Sequence, residues 1–508
     1  MTAYNNNASI LACVEETTGG TLKAPSSATE YMALQTGFEL SPEVEVIETE
    51  EIKASIGPSK TLTGLEKPTA SWRHYLRHSG TEGNTPDWHL LAKSIFGSTS
   101  TNGTERTTAA ASTSTVIKLA AGGSDFALGK AMLIKKSTYE IRPTDSVSTN
   151  DVTLGFAQST AAPGSGITVG KCINYTPVSS GHPTLSVWLY RANGAAVEAV
   201  AGAQVSQMDV SCEVGQPLNV SWTLGGTKYF FNPIIIDSTN NKLDITTDNV
   251  TDDPATITSG AYRTPHELAA AIETALEAAD PLETFTVTYS DTTGKFTITS
   301  SSTVLSLLWK TGANGSDNTG FTIGSTIGFS EAADSTGTAG STGYTSANAI
   351  TLTNAITPSL DSSDPLIARD MEVLLGTQSD FMSLCVQSMN LNMALELTDV
   401  TCISSSSGID SRLPVKRTVN IEMTVVLNRY DAGKFDKFFN KTEQKFLFNF
   451  GAKSGGNWVP GRCGCFYVPQ AAISGFRVGE NGGAVIYNLI ISPYVDASGN
   501  PEIYLNLL

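Results

Sequence analysis

Apolar and polar positions alternate through residues 42–52, where Val44, Val46 and Ile52 take turns with Glu43, Glu45, Glu48, Glu50 and Glu51. Alternation of this kind predicts a strand with one apolar and one acidic face. Gly57-Pro58 and Gly64 then break the pattern. Pro68 opens a second strand-like run carrying Trp72, Tyr75 and Leu76. The two runs predict a hairpin whose tip, residues 55–67, is too long for a tight turn and belongs to the class of loops that dock on another surface. Ahead of it, residues 31–40 (YMALQTGFEL) read as one strand, and residues 1–30 as a polar arm.

The same reading continues down the chain. Thr85-Pro86 caps a helix with Trp88, Leu91 and Ile95 on its apolar face, and Gly97 stops it. Residues 98–114 are nearly all small or polar and read as a loop. Short strands are predicted over 115–119, 131–135, 152–156, 185–190, 207–213 and 218–224. A distinct α+β unit spans 233–345. Thr264-Pro265-His266-Glu267 is a capping box, Leu268, Ile272 and Leu276 make one helical face, and FTVTYSDTTGKFTITS is a hairpin turning at Thr293-Gly294.

After Tyr344 the first pattern returns. Residues 384–391 match 34–40, the polar loop 398–411 stands where the first hairpin tip stood, Pro414 opens a strand as Pro68 does, and Asp431 caps a short helix with Phe435, Phe438 and Phe439. The shared order predicts an internal duplication with the α+β unit between the copies. Its domains are 1–232, 233–345 and 346–508. The fold class is mainly β: two β-sandwich or barrel domains, each with one helix, plus the small α+β module.

The segment EEIKASIGPSKTLTGLEKPTASWRHYLRHSG, followed by TPDWHLLAKSIFG, resembles the major tail tube proteins of long-tailed, siphovirus-like bacteriophages over residues 30–100. The resemblance implies a subunit of two antiparallel sheets and one helix. It implies rings that stack into a tube, with a long hairpin reaching the neighbouring ring. It also implies tape-measure, terminator and baseplate proteins as partners, and a virion location after assembly in the host cytoplasm. Rings of this family commonly hold six tube domains; two per chain imply a trimeric, pseudo-sixfold ring. The middle module has no room inside a tube and is expected to project outward, which suits a sheathless, flexible tail.

Composition narrows the partners. The 508 residues carry a formal net charge of −17, which disfavours adhesion to DNA or anionic lipid. In the middle module fourteen acidic residues face only Lys242, Arg263, Lys295 and Lys310, so much of the excess sits there. Seven scattered cysteines suggest reduced thiols. The N-terminus does not read as a signal peptide, and no apolar run is long enough for a membrane helix.

No catalytic constellation emerges, and the chain is expected to be no enzyme and to need no cofactor or metal. Gly129-Lys130 lacks the glycine spacing of a phosphate loop. His74 and His78 lie four apart on a strand, too far to share a metal. Cys463-Gly-Cys465 has no second thiol pair, and Asp248, Asp252 and Asp253 lack calcium-loop spacing. The candidate sites are therefore surfaces. Glu43, Glu45, Glu48, Glu50, Glu396 and Glu422 are expected to line an acidic channel, with not all of the first four pointing inward. Ser55, Gly57, Pro58, Ser59, Lys60, Gly64 and Lys67, with Thr401, Ser404, Gly408 and Arg412, are expected in inter-ring loops. Arg73, His74 and Arg77 are expected in polar contacts between subunits. The rival is a tail-associated adhesin binding host carbohydrate, which exposed aromatic platforms would favour; the module offers few aromatics beyond Tyr262, Tyr289 and Trp309.

Overall fold

The computed structural model describes residues 8–49, 60–159, 162–248, 250–336, 342–351, 356, 358–361, 363–426 and 440–508. It is mainly β, with two α-helices among the described residues. The expected short helix after Asp431 lies outside them.

A first set of elements runs β1 (Ile10–Glu15), β2 (Tyr31–Met32), β3 (Glu39–Ser41), β4 (Val44–Ile47), β5 (Leu62–Glu66), β6 (Thr69–Tyr75), α1 (His89–Phe96), β7 (Leu185–Arg191), β8 (Ala196–Glu213) and β9 (Asn219–Gly225). A second set runs β10 (Glu372–Gly376), β11 (Phe381–Ser383), β12 (Val386–Thr401), β13 (Ile409–Val426), β14 (Gln444–Ser454), β15 (Asn457–Asn481) and β16 (Ala484–Pro493). Residues 31–40 form two short strands, not one, because Gly37 takes a left-handed φ of 94° between them.

Each set builds two layers. In the first, β2–β1–β7–β8 makes an outer sheet and β3–β6–β9–β8 an inner one. In the second, β11–β10–β14–β15 and β12–β13–β16–β15 repeat that order. The irregularities repeat as well. A register shift at Val205/Gln207 in β8 recurs at Ile473/Gly475 in β15, and one at Leu185/Val187 in β7 recurs at Gln444/Phe446 in β14. The long strands β8 and β15 cross from outer to inner sheet at these bulges, which supply the bend. The ladders align Leu40 with Leu391 and Ala70 with Ile421. Pro68 therefore corresponds to Val419, not to Pro414, with which the sequence pattern paired it.

Strand β8 also pairs with β12, Gln207–Glu213 lying antiparallel to Ser388–Ala394. This seam fuses the inner layers into one sheet of eight strands, β3–β6–β9–β8–β12–β13–β16–β15. Its buried side carries Leu40, Trp72, Trp222, Met208, Met393, Leu391, Ile421 and Leu489, packed with α1 and the outer sheets in one continuous core.

Two additions cover the outward sides of the outer sheets. A six-stranded sheet drawn from residues 106–169 is inserted between α1 and β7. Its Leu133, Ile141 and Phe156 pack on Leu374, Leu447 and Tyr467 of the second repeat. There Arg142, fully buried, pairs with Glu140 at 3.2 Å and Glu372 at 3.1 Å. This insertion accounts for most of the extra length of the first repeat. Residues 98–114, expected as loop, instead contain the strand Gly97–Asn102 and the short strand Arg106–Thr107. The middle unit has a separate core around α2 (Pro265–Ala279). Thr264 caps α2, its hydroxyl accepting from the Glu267 backbone N–H at 3.2 Å. Ile235 and Ala261 seat the unit on the outward side of the first repeat, and Arg263 donates to the Glu66 carboxylate at 2.7 Å.

Candidate functional site

The exposed side of the eight-stranded sheet is the surface the chain builds most deliberately. Side chains alternate along each strand, so every residue between two core positions projects to this face. Along β12 the sequence SMNLNMALE places Met389, Leu391, Met393 and Leu395 in the core and Ser388, Asn390, Asn392 and Glu396 outside. Along β13, Asn420, Glu422 and Thr424 alternate with Val419, Ile421, Met423 and Val425. Ser221 and Thr223 on β9, Asp209 and Ser211 on β8, and Ser71 and Arg73 on β6 complete the same face. Short hydroxyl and amide side chains dominate it. The face is concave and encloses about 1130 Å³ between Arg73, Asn390, Glu422 and Arg477. At the central seam the Asn392 amide donates to the Asp209 carboxylate at 2.6 Å.

The expected channel residues fall in two places. Glu422 and Glu396 lie on the polar face, Glu396 opposite Lys416. Glu43, Glu45 and Glu48 lie at the edge of the sheet and on the β4–β5 ribbon beyond it, where the Glu43 carboxylate accepts from the Thr69 hydroxyl at 3.2 Å. Glu50 lies outside the described residues. The glutamate pattern alone passes over Glu39, Asp209 and Glu213, and over the Ser, Thr and Asn positions that make up most of the face.

The hairpin residues also divide. Ser55, Gly57, Pro58 and Ser59 lie outside the described residues. Lys60 is exposed, and Gly64 sits within the ribbon against Ile47 and Glu45. The second hairpin is longer than expected, since β12 and β13 extend to Thr401 and from Ile409. Its tip folds onto its own chain at the base of the first ribbon. The Glu66 backbone N–H donates to Ser407 O at 3.1 Å, Lys67 pairs with Asp399 at 3.3 Å, and Gly408 lies over Leu65. Arg412 pairs with the same Asp399 at 2.9 Å, while the Ser404 hydroxyl meets the Cys402 thiol at 3.0 Å. Both ribbons expose aliphatic side chains, among them Val46, Leu62, Ile403 and Val415.

Of the residues expected between subunits, Arg73 is exposed on the polar face. His74 is not available to a partner: it is buried in the chain's own core, where Trp222 Nε1 donates to its Nε2 at 2.8 Å. Burial pushes its pKa down to about 4, and that of His78 to about 3. Arg77 donates to the carbonyls of Asp361 and Ser363 at 3.3 and 3.2 Å, within the same chain. Beside it the Asp87 backbone N–H donates to the Asp361 carboxylate at 3.0 Å. Burial, and then the Asp361 charge, push the Asp87 carboxyl up to about 7.

These shifts set opposite slopes with pH. The folded state resists protonating His74 and His78, so stability falls as pH drops below the ordinary histidine range. It also resists ionising Asp87, so stability falls as pH rises from about 3.8 through about 7. Replacing Asp87 by Asn is expected to raise the Tm at pH 8 and to leave it nearly unchanged at pH 4. Calorimetry of both proteins at the two pH values checks this, and equal shifts at both would refute it.

Among the described residues no group of three His, Cys, Asp or Glu side chains could hold a metal ion. Cys463 and Cys465 are buried, and burial raises both thiols well above their ordinary range, away from the thiolate form. Trp309 is buried against Phe329, ring centres 4.8 Å apart, and offers no platform to a sugar. No described helix is long and apolar enough to cross a membrane.

No family model matches the chain, and no curated protein matches it. Among solved structures it is similar to that of the SPP1 tail tube, determined by solid-state NMR and cryo-EM. The identity is 16%, the TM-score 0.22, and the match covers 28% of this chain and 80% of that one. A likeness of that size carries no argument, so a functional reading has to stand on the surfaces of the chain itself.

Proposed function

We propose that the chain is a structural virion protein, the subunit of a phage tail tube, and that its polar sheet face lines the channel. The observation that supports this most is the inner sheet itself: eight strands, one side buried, the other mostly polar, with Tyr75, Ala394 and Ile490 among the exceptions, and a pairing edge left at each end. Strands about 4.8 Å apart would close one chain alone into a barrel only about 12 Å across, narrow enough for side chains to fill. Three chains give a barrel about 37 Å across between backbones, and strand tilt widens it. The duplication makes such a ring pseudo-sixfold.

The lining suits passage without adhesion. Glu39, Asp209, Glu213 and Glu422 outnumber Arg73 and Arg477, so phosphates meet little cation to hold them. Hydroxyl and amide side chains keep water at the wall. The inserted sheet and the middle module pack on the outward side, away from this face. The resemblance over residues 30–100 adds the tape-measure, terminator and baseplate proteins as partners. No chemical step belongs to this reading.

Negative-stain microscopy of the purified protein tests it. Rings and tubes are expected, with class averages showing three outer projections per ring. Particles that stay monomeric from low to high micromolar concentration, by microscopy and by sedimentation, would reject the reading.

A further inference from the structure

Among the described residues the eight-stranded sheet ends on two strands that each lack a further neighbour. At one end β3 pairs with β6 alone, and at the other the last part of β15 pairs with β16 alone. The equivalent strands of the two repeats already meet inside the chain, since β8 corresponds to β15 and β12 to β3. We infer that the β15 edge of one chain pairs antiparallel with the β3 edge of a second copy, in the register of the internal β8–β12 seam.

Carried across by the shared bulges, that register sets Gly475 opposite Glu43, Arg477 opposite Ser41 and Gly479 opposite Glu39 on the polar face. On the buried face Phe476 meets Pro42, Val478 meets Leu40 and Glu480 meets Phe38. Three observations agree with it. First, the apolar pairs Phe476–Pro42 and Val478–Leu40 match their internal counterparts, in which Met208 and Val210 meet Met393 and Leu391, with Glu480 at the exposed end of the strand; a slip of one residue would exchange the faces. Second, the charges complement one another. Arg477 is exposed and makes no ion pair with another described residue. In this register it lies diagonally between Glu39 and Glu43, within reach of both, with glycines opposite the two carboxylates. At the same place inside the chain stand Asp209 and Asn392. Third, the edge is uncovered where the seam is covered: Val478 is 59% exposed, its counterpart Val210 only 1%.

The ribbons extend the same contact. Inside the chain the tip of the β12–β13 hairpin occupies the base of the β4–β5 ribbon. The corresponding end of the second repeat is instead an open groove of about 720 Å³, lined by Val415, Lys416, Ser492, Tyr494 and Val495. The acidic β4–β5 ribbon of the second copy, with Glu48 where the other hairpin has Asp399, takes that groove beside Lys416. The edge pairing stands on the strand equivalence alone; only the number of copies that close the ring rests on the tube reading.

Cysteine cross-linking tests the register. In a chain with Cys385 and Cys402 changed to Ser, Gly479→Cys is combined with Glu39→Cys. Facing residues in an antiparallel pair lie within disulfide reach, and a Cβ at Gly479 meets nothing closer than 3.8 Å. Circular dichroism confirms that the variant is folded, and diamide serves as the two-electron oxidant. The expected result is a ladder on non-reducing gels ending at three chains, at least tenfold stronger than for Arg477→Cys with Glu39→Cys. A folded variant that yields no ladder, or a stronger ladder from the shifted pair, overturns the register even if wild-type tubes are plentiful. A ladder without tubes sustains the edge contact and defeats the tube reading instead.

Discussion

Replacing Trp222 by alanine is expected to lower the Tm by about 10 °C and to abolish assembly, because it empties the centre of the inner sheet. Trp222 is 1% exposed and faces Trp72 on one side and Met208 on the other. Truncating a buried tryptophan costs about 3–5 kcal/mol in packing and residual cavity. The substitution also strands His74, whose Nε2 accepts from the indole N–H at 2.8 Å; an unsatisfied buried polar atom adds about 1–3 kcal/mol. Against a typical stability of about 5–15 kcal/mol, that sum is severe. Trp222→Phe keeps most of the volume and loses only the donor, so it should fall between wild type and alanine. Leu489 holds the equivalent place in the second repeat, and Leu489→Ala should cost about 2–5 kcal/mol. Chemical denaturation of the three variants measures the order. An alanine variant as stable as wild type would mean that the row is not the core the strand pairing makes it.

Excising residues 234–350 should have the opposite outcome: a chain shorter by nearly a quarter that still folds and still forms tubes, now of smaller outer diameter. The segment has its own hydrophobic core. Its two ends are close, since Ile235 just after the cut and Ile356 just beyond the other cut pack on the same cluster of the first repeat. A short Gly/Ser linker from Pro233 to Thr351 can therefore bridge them. Excision removes the seat of Ile235 and Ala261, the Arg263–Glu66 pair and the Arg263 guanidinium that lies over the Phe230 ring from the face it uncovers. Glu66 keeps one partner, accepting from the Tyr229 backbone N–H at 2.6 Å. Removal also takes away fourteen acidic residues against four basic ones, leaving the rest of the chain much nearer neutrality. Microscopy of the shortened protein reads the diameter directly. An insoluble product would show that the module is integral to the fold.

Much of the fold was legible wherever alternation was long and its apolar members large. VNIEMTV, LNVSWTL and SMNLNMALE each show period-two patterning, and each proved to be an inner-sheet strand. Strands built from small residues were hidden. The first part of β8, AVEAVAGAQV, alternates little because it is buried on both faces. The Ser/Thr run at 98–102 looks like loop by composition, yet it pairs with Cys172–Pro177. Helix α2 was fully announced by its cap. The shorter α1 begins at His89, later than Thr85-Pro86 suggests, and the Asp87 N–H goes to Asp361, hundreds of residues away, which no local signal encodes. The polar face was legible only through its glutamates. Serine, threonine and asparagine between core residues carry no charge to attract notice, and only the alternation itself could have assigned them to one surface. His74 was misjudged for a related reason: histidine looks polar in sequence, and its burial depends on Trp222 from a distant strand.

The seam between β8 and β12 lies within one polypeptide, and in the proposed tube this would restrict the errors an assembling ring can make. Half of the seams in a pseudo-sixfold ring then form as each chain folds, leaving only the rest to molecules that must surrender translational and rotational freedom to meet. The tether also imposes parity. A ring of five or seven repeats cannot arise from chains that carry two, so the nearest wrong rings hold four or eight. Such rings depart from the correct circumference by a third, a misfit far larger than the gain or loss of a single repeat would cause. In the proposed ring, counting fidelity would thus be written into chain connectivity, and the contact between molecules would be relieved of enforcing it alone.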